Sequence, residues 1–218
     1  NKYFREFTRK CEQRYFLLTD QLGFNRSDFS LKAKQIEIFV YQDKQDYLQH
    51  ADPADTIEIS TFYFDKDFFS TTLSHQLSRI LFREFIGPQP EVPVWFEQGV
   101  AFANEEMSML KYFAHVKGLI NSENYLSVVE MEEKSGEKLI HTRVFSASSA
   151  SVVIFLLDDY SKDHFVRLCR ELRAGNSFYE AMNKVYQIAD SEDLNNKFLA
   201  YTNKRSFEDI AGREDLGR

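Results

Sequence analysis

Leu73-Ser74-His75-Gln76-Leu77-Ser78-Arg79-Ile80-Leu81-Phe82-Arg83-Glu84-Phe85-Ile86-Gly87-Pro88 is the stretch that decides how this chain is read. Leu73, Leu77, Ile80, Leu81, Phe82, Phe85 and Ile86 cover most of the circumference of a helix running from about Thr71 to Ile86. A helix that is apolar nearly all round is a central, buried one. Ser70 or Thr71 can cap its start. Gly87 and then Pro88 end it, by losing first the side chain and then the amide. His75 and Arg79 interrupt the apolar surface one turn apart, so they share a face.

The flanks predict an α+β fold with a small β-sheet packed on this helix and a mostly helical C-terminal half. Phe4, Phe7, Cys11, Tyr15, Leu18 and Leu22 recur at helical spacing, and Gly23 stops that helix. Residues 25–34 are polar and read as a loop. Gln35–Tyr41 and Thr56–Phe62 alternate apolar and polar residues as strands do, with a short helix at Lys44–His50 between them. Val94–Asn104 reads as helical, and Met107–Lys117 either continues that helix or forms a separate one. Residues 118–140 are mixed, and their acidic cluster (Glu130, Glu132, Glu133) reads as a solvated face. From Ser146 onward the pattern is helical, with Ser177 and Glu180 forming a capping box and Asp190 or Ser191 opening the last helix. One domain over 1–204 accounts for this order: a sheet-containing part to about 70, motif helices over 71–117 and a helical part over about 141–204. The charged stretch 205–218 forms a tail.

Composition agrees. The chain of 218 residues can bury roughly 70% of its unfolded surface and needs no disulfide or metal to hold it. With 21 Phe, 11 Tyr and only 8 Gly and 4 Pro, it is neither disordered nor a turn-rich all-β protein. A net charge of −7 and the lack of a basic cluster argue against nucleic acid as a partner. No apolar run approaches the ~20 residues of a membrane span. The chain starts at Asn1 and not Met, which leaves an upstream signal or anchor open. Cys11 and Cys169 have neither metal-pair nor redox spacing; they read as two buried thiols, with a disulfide as the alternative in an exported chain.

Nineteen residues after Arg79 comes Gln98, within Pro93-Val94-Trp95-Phe96-Glu97-Gln98-Gly99-Val100-Ala101. Together the two segments resemble the gluzincin metallopeptidases, and within them the peptidase MA-like family. That family carries His-Glu-x-x-His on one helix and Trp-x-x-Glu-Gly-x-Ala on a second. The resemblance spans about residues 5–202. It implies a zincin-like fold, and by analogy an extracytoplasmic or membrane-anchored setting. Trp95, Gly99 and Ala101 match the second motif, and Glu97 lies inside it. His75 keeps the first zinc-ligand position. Gln76 stands at the general-base position, Arg79 at the second histidine and Gln98 at the third ligand, a glutamate in the family. Near the helix at 146, where the family often has a tyrosine, this chain has Phe145-Ser146.

These replacements bear on chemistry. Catalytic zinc takes three donors from histidine, carboxylate or thiolate, plus an open position. Gln98 offers a neutral amide oxygen, and Arg79 has no lone pair to give. A unit charge ~4 Å from a dication is repelled by about 8 kcal/mol at an effective dielectric of ~20. Gln76 cannot take a proton from water. The expectation is a pseudo-peptidase with no cofactor and zinc lost, in which a peptide or protein partner or a scaffold role replaces catalysis. The alternative is a working hydrolase with a rebuilt site. A histidine in a buried helix is more often a satisfied core residue than a ligand. In that reading His75, Arg79 and Gln98 form a polar plug, with Glu97, Glu105 or Glu106 pairing with Arg79. Two other constellations are weaker. Ser148, Ser149 and Ser151 with His141 lack a nucleophile elbow, and Cys169 with His164 is poorly spaced on a helix.

Overall fold

A computed structural model describes residues 2–25, 29, 36–50, 59–63, 65–105, 109–134, 139 and 142–205. Most of the loop expected over 25–34, the first part of the second strand, Glu106, His141 and the tail beyond Arg205 lie outside these residues. The first helix, α1, is Lys2–Gln21. Gly23 follows at φ +74°, a left-handed conformation that suits glycine. Next come β1 (Ile38–Tyr41), α2 (Lys44–His50) and β2 (Ile59–Phe62). The two strands pair in parallel, with Ile38 opposite Ile59 and Tyr41 opposite Phe62. A parallel pair needs a crossover, and α2 lies within it. Ile59 is fully buried.

The decisive helix, α3, is Leu73–Ile86. A π-helical turn, Phe68–Thr72, precedes it, so neither Ser70 nor Thr71 caps α3 as the sequence suggests. Their hydroxyls instead donate back to the Asp67 carbonyl, Thr71 at 2.6 Å. Phe68 stacks on Phe7 of α1 at 5.5 Å and anchors the turn. Gly87 ends α3 at φ +84°, with its N–H on the Arg83 carbonyl.

The remaining helices are α4 (Val94–Ala103), α5 (Met109–Asn121), α6 (Val128–Glu133), α7 (Arg143–Phe155), α8 (Lys162–Arg173), α9 (Phe178–Tyr186) and α10 (Ser191–Lys204). Short α6 was not legible in the mixed segment, although Ser127 and Glu130 form a capping box there. The expected capping box of Ser177 and Glu180 opens α9, and Asp190 caps α10. α7 is the most enclosed helix: every residue from Ala147 to Phe155 is buried. α3 is less so, because His75, Gln76, Arg79 and Arg83 share a partly open face. α7 is clasped by α4 and α5, and α3 packs on α4, α1 and α8. Phe82, Phe85, Phe96, Phe165 and Phe178 interlock where α3, α4, α8 and α9 meet; Phe24 stacks on Phe85 at 4.2 Å. The fold is therefore mostly helical α+β with a small parallel sheet. No single helix among the described residues is long and apolar enough to cross a membrane.

Cys169 is fully buried and Cys11 half-buried, and both are free thiols. The pair is thus unlinked, and only one of the two matches the expectation of burial. Burial pushes the Cys11 thiol up to about 11, helped by the Glu12 charge, and raises Cys169 further.

Candidate functional site

The site lies between consecutive helices α3 and α4. α3 presents His75, Arg79 and Arg83 at successive turns along one face. α4 begins after Pro93 and answers with Glu97, whose side chain is only 12% exposed. The Glu97 carboxylate is shared by two guanidiniums. Arg79 donates to Oε1 from Nε and Nη2, at 3.3 and 3.2 Å. Arg83 donates to Oε2 from Nε at 2.7 Å and also from Nη2, and its Nη1 reaches the Pro90 carbonyl at 3.2 Å. Of the three carboxylates the sequence offered Arg79, Glu97 is its partner and Glu105 is not. Arg83 had no assigned role; its place one turn beyond Arg79 was the available signal.

Glu105, just past α4, turns to His75 instead. Its Oε1 lies 2.9 Å from His75 Nδ1, and Tyr112 of α5 donates to its Oε2 at 3.3 Å. An ionised carboxylate only accepts, so His75 Nδ1 is the donor in this contact. Burial, with the Glu105 charge and hydrogen bond, holds the Tyr112 phenol well above its ordinary range. Phe102 meets the imidazole edge-on at 4.7 Å.

The other motif positions take different roles. Gln98 is half-buried and makes no hydrogen bond to His75 or Arg79, so the polar cluster forms without it. Gln76 keeps Oε1 buried with no hydrogen-bond partner. Gly99 faces α7: a Cβ there would fall 2.5 Å from the Ser149 carbonyl oxygen, so glycine is what lets α4 and α7 touch. Trp95 is fully buried and donates from Nε1 to Glu132 Oε1 at 3.1 Å. Tyr179 donates its hydroxyl to the same oxygen. Glu132 is therefore an internal acceptor joining α4, α6 and α9. Its assignment to a solvated face fails because Trp95, once buried, needs a hydrogen-bond partner.

Among the described residues no group of three or more His, Cys, Asp or Glu side chains is placed to hold a metal ion. The serines of α7 are packing residues: Ser149 donates to the Phe145 carbonyl at 2.7 Å, while Ser148 and Ser151 are buried beside apolar neighbours. Phe145 is itself core. His164 bonds Ser161 at 3.0 Å and does not activate Cys169. What the site offers chemically is a doubly held carboxylate and a carboxylate-oriented imidazole.

No curated protein and no solved structure matches this chain. A family model described as the peptidase MA superfamily matches residues 30–204, which takes in the α3 and α4 segments and every later helix but not α1. The match covers most of the chain, and the chain belongs to the peptidase MA superfamily.

Proposed function

We propose that this chain is a zincin-like metallopeptidase relative without zinc chemistry, acting as a peptide- or protein-binding or scaffold domain. The observation that carries the reading is Arg79, ion-paired with Glu97 where the family places its second histidine ligand. The residues at the family's ligand positions do not fit a zinc ion. His75 is one nitrogen donor. Arg79 has no lone pair and carries a fixed positive charge. Gln98 is a neutral amide, and Gln76 cannot serve as a base for water. The partners of Arg79 and His75 are already supplied by Glu97 and Glu105.

The test is metal content. After incubation with zinc and desalting, the expected result is no stoichiometric zinc; one tightly held equivalent that disappears in His75→Ala overturns the reading. The triple variant Gln76→Glu, Arg79→His, Gln98→Glu is expected to gain zinc affinity. A second reading, a hydrolase with a rebuilt site, is favoured by the His75–Glu105 pair, since an imidazole held by a carboxylate suits general-base work. Peptide cleavage that vanishes in both His75→Ala and Glu105→Gln would establish it.

A further inference from the structure

α3 has a second functional-looking face. Leu73, Leu77 and Glu84 fall on one stripe of the helix, opposite His75 and Arg79. That stripe walls a groove completed by Phe7 and Tyr15 of α1 and by Ile38 and Val40 of β1. The groove has a volume of about 670 Å³ and opens to solvent. A concave, mainly apolar trough of this size is typical of ligand sites. Phe4 and Phe16 also line it and stay 42% and 43% exposed. Ile59 of β2 joins the core with α3, while the trough beside β1 stays open to solvent.

The charged groups among the described lining residues are all of one sign. They are Glu12, Glu37 and Glu84; no Lys or Arg is among the described lining residues. None of the three is ion-paired with a described residue. Burial raises the Glu84 carboxyl above its ordinary range, as expected for an acid without a cation beside it. Such a surface repels nucleic acid and anionic amphiphiles. With a net charge of −7, a second copy of the chain is also a poor match.

We propose that this groove binds a cationic amphipathic peptide segment, in which large apolar side chains alternate with Lys or Arg. The apolar side chains fill the trough between α1 and α3, and the cations face Glu12, Glu37 and Glu84. The inference rests on the peptide-binding half of the reading above and not on the loss of zinc.

The probe is a fluorescein-labelled peptide of alternating Leu and Lys, titrated with the whole chain against Leu/Glu and Ser/Lys peptides of equal length. Leu/Lys is expected to bind about tenfold or more tightly than either control, with the advantage over Leu/Glu shrinking at high salt. Glu12→Gln, Glu37→Gln and Glu84→Gln combined should erase that advantage. Cys11 reports location without any substitution: it lines the groove, whereas Cys169 is fully buried. Bound peptide should slow Cys11 alkylation at mildly alkaline pH. Equal binding of Leu/Glu, binding that leaves Cys11 unprotected, no binding at millimolar peptide, or protection that depends only on protein concentration each overturns the proposal. Zinc content measured on the same samples separates the two ideas. Bound zinc with bound peptide removes the zinc-free reading alone. No zinc and no peptide removes the groove alone.

Discussion

Glu97→Gln removes the negative charge shared by Arg79 and Arg83 while keeping side-chain size. The Arg79–Glu97 pair at 3.2 Å corresponds to a gross attraction of about 5 kcal/mol at an effective dielectric of ~20. Side-chain exposures of 18% for Arg79 and 12% for Glu97 put the pair nearer the buried than the surface limit. Arg83, at 38%, can turn to water and adds little. Breaking a fully buried pair costs 3–5 kcal/mol, so with this partial exposure the expected loss is about 2–4 kcal/mol. For a chain of this length that is a fall in melting temperature of about 5–12 °C. Urea and thermal unfolding followed by Trp95 fluorescence measure it. A cycle with Arg79→Met should show strong coupling between the two positions and near-recovery in the double variant, where the cation left behind, Arg83, can turn to water. A loss under about 1 kcal/mol, or two additive substitutions, would mean that water already serves Arg79 and that the clamp between α3 and α4 is not structural.

Gly99→Ala is expected to destabilise by about 1–2 kcal/mol, because overpacking against the Ser149 carbonyl outweighs the gain in helix propensity. Gly118→Ala, in α5 with nothing within 4 Å of the new Cβ, should instead stabilise by about 0.5–1 kcal/mol; equal effects in urea unfolding would refute the contact argument. Glu132→Ala strands the Trp95 indole N–H, takes one partner from the Tyr179 hydroxyl and should cost about 1–3 kcal/mol with a change in Trp95 emission. Alkaline pH gives a fourth test. Burial raises Tyr112, Tyr125, Tyr179 and Tyr186, and both thiols, above their unfolded values. The unfolded chain therefore releases these protons first. Stability holds up to about pH 8.5, falls as the thiols and then, from about pH 10, the phenols ionise in the unfolded state, and continues to fall towards their folded values. A urea midpoint unchanged between about pH 8 and 11 would contradict it.

Helix positions were legible where punctuation is strong. Gly23 and Gly87-Pro88 mark real helix ends, and the Ser177 capping box and the Asp190 cap stand where the pattern put them. The π-helical turn at Phe68–Thr72 was not legible, because Ser70 and Thr71 look like caps until their hydroxyls are seen to bond backwards. Alternation revealed two strands but could not say that they pair in parallel, since the register depends on the crossover. In the site, the need of a buried guanidinium for a carboxylate led to Glu97 among others. The same logic applied to an indole would have brought in Glu132, which charge clustering alone assigned to water. Gln98 was placed by motif position, and motif position says nothing about its hydrogen bonds.

The Arg79–Glu97 clamp also has a meaning in polymer terms. It pins together two points 18 residues apart along the chain, on helices joined by the seven-residue connector 87–93. Closing so short a loop costs little conformational entropy. Because both partners are tethered to one backbone, their encounter is governed by an effective concentration set by the connector. The closure is therefore first-order, and its strength does not depend on protein concentration.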